Sequence, residues 1–371
     1  MEKMENSKRL LSLDVFRGLT VALMIVVNNP GSWNFAYAPL KHSAWHGCTP
    51  TDLVFPFFLF IVGSAMWYSY KKYDYKITGS LVLKILRRAF LIYIIGLLIT
   101  AYSSHKIDLA HIRLMGVLPR IALAYLFASF IVLGLQVKWV KIITLLILLG
   151  YWAILVIFGG GTPFTLEDNF ARTFDIALLG INHIPVFHGV KFDQTGLLST
   201  LPSIANVLLG YMAGRLIDTS KIKTNAVKEL IIYGIAGIVI AMGWDFVFPI
   251  NKPLWTSSFV LYTSGFASVF LGFLYWIIDL KDFRGWTLPF QVFGMNPIFI
   301  YVLSLVLAIT FGFNMMLSDT GEPISLVAWI YNNLFSLAGP YFGSLLYALV
   351  FTFVCWLAGY ILFRNKIFIR L

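Results

Sequence analysis

Apolar runs close to the roughly 20 residues that a helix needs to cross a bilayer recur along this chain of 371 residues. Only 12% of the residues are charged, whereas a soluble globular domain has about 25%. Membrane β-strands would instead alternate over about 10 residues. The sequence therefore predicts an all-α polytopic membrane protein, a single transmembrane domain over 1–371, with ten spans at 11–29, 52–70, 83–101, 116–135, 140–158, 197–217, 228–248, 257–278, 287–311 and 341–363.

One further apolar segment, 323–338, is short and opens with Pro323. We interpret it as a re-entrant or interfacial helix rather than an eleventh span. Within the ninth span, Asn296 precedes Pro297, which removes a helical hydrogen bond and predicts a break there. A broken helix at membrane depth often lines a cavity.

Basic residues cluster on alternate loops, and these clusters account for most of the net charge of +11. By the positive-inside rule these loops are cytoplasmic, which puts both termini inside and the loop that holds His42 outside. The charge therefore reflects membrane topology, and we expect the lipid bilayer rather than nucleic acid as a partner. The clusters lie at 3–9, 71–88, 138–141, 215–228, 281–284 and 364–370.

Two imidazoles, His42 and His46, lie between the first two spans, and the amide of Asn28 lies near the end of the first span. His42 is a candidate general base, because a neutral imidazole accepts a proton near physiological pH. The alternative is an interfacial histidine that only forms hydrogen bonds. Asn28 can stabilise an oxyanion, or it can be an ordinary helix-end amide. His46 can assist or orient His42, but two histidines without a third ligand are a weak metal signal, and we expect no metal.

Asp52 stands three residues after Thr49, with Pro50 at the first helical position. This spacing is typical of a capping box at the start of the second span, so Asp52 is a candidate both for a cap and for a catalytic carboxylate. Trp45 has the position of an interfacial aromatic residue or of a substrate contact.

Candidate cofactor-binding groups lie on the cytoplasmic side and within the spans. Asp14 and Arg17 are spaced to pair along one helix face, and the alternative is that Arg17 grips a phosphorylated cofactor together with other arginines. Ser199 can line a tunnel or help helices to pack. The candidate set is Arg17, Arg87, Arg88, Arg215, Arg284, Asn296 and Ser199.

A multi-span transporter or channel is the alternative class of function, because ten spans and a broken helix suit one. The titratable cluster at one mouth, rather than at mid-membrane, and the lack of a visible inverted repeat argue against it.

Several motifs resemble, in order along nearly the whole chain, the heparan-α-glucosaminide N-acetyltransferase family of transmembrane acyltransferases. They are Leu13-Asp14-Val15-Phe16-Arg17-Gly18, Lys41-His42-x-x-Trp45-x-Gly47-x-Thr49, Asp52-Leu53-Val54-Phe55-Pro56, Gly116-Val117-Leu118-Pro119-Arg120, the segment 192–202, Pro249-Ile250-Asn251-Lys252-Pro253-Leu254-Trp255-Thr256 and Gly294-Met295-Asn296-Pro297.

The resemblance implies transfer of an acetyl group from cytoplasmic acetyl-CoA to the amine of a terminal glucosamine on the far side. It places the family's catalytic histidine at His42 and its active-site asparagine at Asn28. We also expect Asp193 and Asp175, on the outer side, to contact a cationic amino sugar or a glycan acceptor. The resemblance further implies a homodimer.

Two positions depart from the family's pattern. His46 replaces an asparagine, and Pro119 replaces the glutamine that usually precedes the arginine. The N-terminal luminal domain of the animal enzyme is not seen, so we expect a bacterial-type member in an inner membrane, with its His42 loop periplasmic and an acceptor that is not necessarily heparan sulfate.

Overall fold

The computed structural model describes residues 10–104, 108–317 and 322–369, and nearly all of its regular structure is helical. The helices are α1 Leu11–Asn28, α2 Val54–Lys71, α3 Gly79–Ser103, α4 Val117–Gly134, α5 Val137–Phe158, α6 Phe170–Leu179, α7 Thr200–Thr219, α8 Lys223–Asp245, α9 Ser257–Leu274, α10 Leu288–Met295, α11 Pro297–Phe313, α12 Leu326–Ile330 and α13 Pro340–Arg364. Two short antiparallel hairpins pair β1 Val186–Phe187 with β2 Val190–Lys191 and β3 Met315–Leu317 with β4 Pro323–Ser325.

A helix lies at each of the ten predicted spans. Seven helices of the described part are long and apolar enough to cross a membrane, namely α1, α2 with the turn before it, α4, α5, α8, α9 with its extension to Leu280, and α13. An eighth span results if the bent pair α10–α11 counts as one. The chain is thus an integral membrane protein, while the count of ten and the orientation of the termini stay predictions. The basic residues at 3–9 and Arg370 lie outside the described residues.

The predicted break in the ninth span is confirmed, because α10 and α11 meet at Asn296 with a bend of 84°. Asn296 is fully buried, and its amide binds the segment that follows α13. The Nδ2 group donates to the carbonyl of Ile367 (3.0 Å), and Oδ1 accepts from the N–H of Ile369 (2.8 Å). Of the segment 323–338, the first three residues form β4 and Leu326–Ala338 forms a short apolar helix, while its position as a re-entrant or interfacial helix stays a prediction.

Helix α7 lies at the centre of the bundle and packs closely along α2. Most of its residues are buried, including the polar Ser203 and Asn206. A Cβ added at Gly210 would lie 1.9 Å from the carbonyl oxygen of Phe60 in α2, so only glycine permits this approach. Small residues bring membrane helices together in this way. The contact fixes the start of α2, where Asp52 lies, relative to the other helices.

The two ends of the helix bundle carry different polar and charged groups. The end of α1, the start of α2 and the start of α9 meet beneath the segment 159–199, which contains α6 and the first hairpin and which we call the lid. At the opposite end, Lys71 forms an ion pair with Asp218 (2.8 Å), and Asp279 accepts from the N–H of Ser12 (3.0 Å). The polar cluster predicted between the first two spans therefore lies at one end of the helices.

Candidate active site

His42 and Asp52 form a histidine–carboxylate pair at the start of α2. The Nδ1 atom of His42 lies 2.7 Å from Oδ1 of Asp52, whose side chain is fully buried, while 46% of the His42 side chain is exposed. A carboxylate that accepts from Nδ1–H leaves Nε2 unprotonated and able to act as a base. The sequence predicted both residues but not their contact.

The second oxygen of Asp52 closes the predicted capping box. Oδ2 accepts from the N–H of Ser43 (3.1 Å) and from both the N–H and the hydroxyl of Thr49 (3.0 Å each). The capping prediction is confirmed, with a 3-10 turn over Pro50–Leu53 before α2. Because the same carboxylate caps the helix and binds His42, the start of α2 orients the imidazole.

Lys252, in the loop between α8 and α9, is the third charged member of this cluster. Its Nζ atom lies 3.1 Å from Oδ1 of Asp52 and 3.0 Å from Nδ1 of His42. The two loops are also joined by the N–H of Gly47, which donates to the carbonyl of Ile250 (2.7 Å). Burial lowers the pKa of the Lys252 ammonium, and the charge of Asp52 acts in the opposite direction.

His42 and Asn28 face the same cavity, which has a volume of about 230 Å³. Asn28 is the last residue of α1 and is exposed. Lys252, Arg113 and Trp255 also line this cavity, together with Met24, Val27, Thr51, Val54, Phe55, Val117, Gln194, Thr195 and Tyr301. A base, an amide and a cation thus converge on one space beneath the lid.

Arg113 and Asp193 connect the cavity wall to the lid. The guanidinium of Arg113 donates to both oxygens of Asp193 (2.6 and 2.9 Å) and to the hydroxyl of Thr195 (2.7 Å). Burial raises the pKa of Asp193, but the bonds and charge of Arg113 outweigh this effect and lower it overall. Asp193 therefore has a structural partner, and its contact with substrate stays a prediction.

Asp175, on α6, is a second buried carboxylate of the lid. Its Oδ1 accepts from the N–H of Leu198 (3.0 Å), and the absence of a side chain at Gly196 leaves room for Oδ2. Burial raises the pKa of Asp175 to about 7, and the nearby charge of Asp193 adds to this effect. Its predicted role in substrate binding also stays a prediction.

Stability is expected to fall as the pH rises through about 7, because the folded state holds the proton of Asp175 more tightly than the unfolded state does. The contribution is complete below the ordinary carboxyl pKa and is lost above pH 7, with a slope of at most about 1.4 kcal/mol per pH unit. Melting temperatures of the wild type and Asp175→Asn between pH 5 and 8 test this expectation. If the melting temperature changed with pH equally in the two proteins, this expectation would be contradicted.

The other predicted residues of the loop between α1 and α2 face the lid and the loop between α8 and α9 rather than the cavity. Trp45 donates its indole N–H to the carbonyl of Phe164 (2.8 Å), and its ring packs edge-on against Phe192. Nδ1 of His46 lies 3.3 Å from the amide nitrogen of Asn251. Burial lowers the pKa of His46, which Asp245 partly opposes. Neither Trp45 nor His46 lines the cavity of His42.

The seven predicted cofactor-binding residues do not come together. Arg17 contacts Asp14 (3.1 Å), Arg284 pairs with Asp282 (2.7 Å), and Arg88 lies over the ring of Tyr125. Arg87 is exposed, and Asn296 binds the segment after α13. Ser199 is buried and accepts from Arg120.

Arg215 is the member of that set that lines a second, larger cavity. This cavity has a volume of about 470 Å³ and lies among α5, α7, α8 and α9, with Lys141 and Arg215 in its wall. Arg215 contributes positive charge from α7, near the end opposite to His42. Cofactor binding by the seven residues stays a prediction.

Trp255 and Asn206 separate the two cavities. The indole N–H of Trp255, which lines the smaller cavity, donates to Oδ1 of Asn206 (2.8 Å). Asn206 in turn donates to the hydroxyl of Ser264 (2.9 Å), which lines the larger cavity. Two hydrogen bonds through Asn206 thus connect a residue that lines the smaller cavity to one that lines the larger cavity.

Arg120 packs against the ring of Trp255. Its guanidinium carbon lies 4.7 Å from the centre of the Trp255 ring, and the side chain is fully buried. Sequence reasoning assigned no role to Arg120, Arg113 or Lys252. Arg120 could have been recognised as a basic residue within a predicted span. Lys252 could have been recognised as a cation between Asn251 and Pro253.

Comparison with known proteins agrees with the motifs. The model of heparan-alpha-glucosaminide N-acetyltransferase, catalytic, matches residues 9–247. The heparan-alpha-glucosaminide N-acetyltransferase of Mus musculus is 31% identical over 374 residues, covering 85% of this chain and 56% of its own length. That of Homo sapiens is 29% identical over 378 residues, with coverages of 84% and 55%.

The chain spans about half the length of these curated relatives. The family match includes Asn28, His42 and Asp52 but ends before Lys252. On the family match and the ordered motifs, this integral membrane protein belongs to the heparan-alpha-glucosaminide N-acetyltransferase family.

Proposed function

We propose that the protein is a transmembrane acetyltransferase that moves the acetyl group of cytoplasmic acetyl-CoA to an amino sugar at the outer face of the membrane. The observation that carries this proposal is the convergence of His42, oriented by Asp52, and Asn28 on one cavity. Membership of a family whose relatives are named heparan-alpha-glucosaminide N-acetyltransferase supports the transfer of an acetyl group to an amine.

The larger cavity is the proposed site for the coenzyme. Arg215 and Lys141 supply positive charge for phosphate oxygens, and the apolar wall suits the pantetheine arm. The thioester then has to pass the partition of Trp255 and Asn206 to reach His42. The acceptor enters the smaller cavity from beneath the lid.

The proposed reaction is direct transfer. The Nε2 atom of His42 takes a proton from the attacking amine while the new C–N bond forms at the thioester carbon. Asn28 donates its amide to the oxyanion, the C–S bond then breaks, and the thiolate of coenzyme A takes the proton from His42. A transient acetyl-histidine is the competing route, and ping-pong kinetics would favour it.

Acetyl transfer by the purified protein in nanodiscs tests the proposal. The assay uses labelled acetyl-CoA with glucosamine and a panel of amino sugars, and mass spectrometry separates N-acetyl from O-acetyl products. Coenzyme A binding without transfer to any amine or hydroxyl would refute the proposed acceptor class. No coenzyme A binding, together with solute uptake in vesicles, would favour the transporter.

Asn28→Ala is expected to lower kcat by about 10²–10³-fold, because one donor to the oxyanion is lost. Binding of coenzyme A should be unchanged. The neighbouring Asn29→Ala is the matched control, since the Asn29 amide donates to the carbonyl of Ile25 (2.7 Å) within α1. An equal loss in both variants would indicate a defect of the helix end instead of a role in transfer.

A further inference from the structure

We propose that Lys252 is a positioning residue that keeps the His42 imidazole neutral and directed as a base, by sharing the Asp52 carboxylate with it. This inference rests on the proposed function, in which His42 is the base. It assigns a role in the reaction to a residue of the loop between α8 and α9, and Lys252 lies beyond the residues that the family match covers.

The geometry places both groups on one carboxylate oxygen. Oδ1 of Asp52 lies 2.7 Å from Nδ1 of His42 and 3.1 Å from Nζ of Lys252. Only 15% of the Lys252 side chain is exposed. An ammonium can only donate, and an unprotonated Nδ1 lone pair 2.7 Å from a carboxylate oxygen would be repelled, so Lys252 and the Nδ1–H of His42 both donate to the carboxylate. The 3.0 Å separation between the two nitrogens makes their contact a repulsive one whenever both are charged.

The backbone holds Lys252 in place. Its carbonyl accepts from the N–H of Trp255 (3.0 Å), which closes a tight turn. The side chain of Asn251 accepts from the N–H of Leu254 (2.7 Å), so both sides of Lys252 are fixed. Trp255 has a φ of 54°, a left-handed conformation that is costly for a bulky residue. The strained turn gives Lys252 a fixed approach to Asp52.

The electrostatic consequence follows from the charges in contact. A lone carboxylate beside an imidazole favours the protonated ring, which has no free lone pair and cannot act as a base. The ammonium of Lys252 compensates the charge of Asp52 and disfavours a second cation on His42. The imidazole can therefore stay neutral while Asp52 still fixes its tautomer.

The other charged and titratable groups around His42 do not compensate the charge of Asp52 as Lys252 does. Arg113 lines the same cavity but is bound to Asp193, and Tyr301 is the titratable group that α11 presents to the cavity. Of the described lysines and arginines, Lys252 is the one within ion-pair distance of Asp52. The loop of His42 itself carries Lys41, His46 and Cys48.

The test measures protonation of His42 with and without Lys252, in full-length protein in nanodiscs. Diethyl pyrocarbonate acylates the unprotonated imidazole, and mass spectrometry of the His42 peptide gives its rate against pH. Lys252→Met should move the midpoint of the acylation rate against pH upward by about one pH unit. At pH values below the midpoints of both proteins, the variant should therefore be acylated about tenfold more slowly than the wild type. The acid limb of kcat/KM should move equally, and Lys252→Arg should restore both.

Lys41→Met, next to His42 in sequence, is the matched control and should leave the midpoint unchanged. If Lys252→Met does not fold, Lys252→Gln keeps a donor to Asp52 without the charge and should give the same upward shift. An unchanged midpoint, or a loss of transfer equal at all pH values, would overturn the proposal. Because acylation is read without any transfer, a wild type that transfers nothing refutes the proposed function separately.

Discussion

Replacing His42 with alanine is expected to lower kcat/KM for acetyl transfer by about 10²–10⁴-fold, the usual contribution of a positioned general base. His42 lines the cavity with Asn28, and its partner Asp52 leaves Nε2 free to accept a proton. The coenzyme site proposed around Arg215 lies on the other side of Trp255, so coenzyme A binding should remain. Transfer and coenzyme A binding are measured on the same preparation.

The matched control is His111→Ala. His111 also pairs with an aspartate, Asp108 (2.8 Å), but both side chains are exposed. This variant should transfer at the rate of the wild type. Free imidazole added to His42→Ala should restore part of the activity, because the missing ring leaves space beside Asp52. Full activity in His42→Ala would contradict the proposed mechanism.

The sequence predicts the fold because each span carries its own signal. Long apolar runs locate helices at all ten positions, and Pro297 locates the break between α10 and α11. The spacing of Thr49 and Asp52 likewise predicts a local cap, which is confirmed. The apolar signal is weaker in α7, which contains the polar residues Ser203 and Asn206. Both are buried, because other helices surround α7.

The site is only partly predictable, because some of its contacts join distant segments. Asn28, His42 and Asp52 stand within 25 residues, so one loop brings them together. Lys252 reaches Asp52 from the loop before α9, and no local pattern indicates that contact. The arginines of the predicted cofactor set illustrate the reverse case, because positive charge near a membrane follows topology as well as ligand binding.

Asp52→Asn is expected to lower transfer by about 10²–10⁴-fold, even though the shape of the side chain is retained. The amide nitrogen of the new asparagine would donate to Nδ1 of His42, so Nδ1 would be an acceptor. The ring proton would then lie on Nε2, which could no longer act as a base. The capping contacts from Ser43 and Thr49 would weaken, and the buried ammonium of Lys252 would lose its counter-charge. Such an orphaned charge costs about 3–5 kcal/mol, so the melting temperature should fall as well.

A double-mutant cycle separates these two effects. Adding Lys252→Met to Asp52→Asn removes the orphaned cation, so the melting temperature should recover in part while transfer stays low. Asp108→Asn, at the exposed pair with His111, is the control and should change neither quantity. If stability and transfer recovered together, the loss in Asp52→Asn would be one of folding alone. Because Asp52 fixes the tautomer of the base, we expect recovery of stability without recovery of transfer.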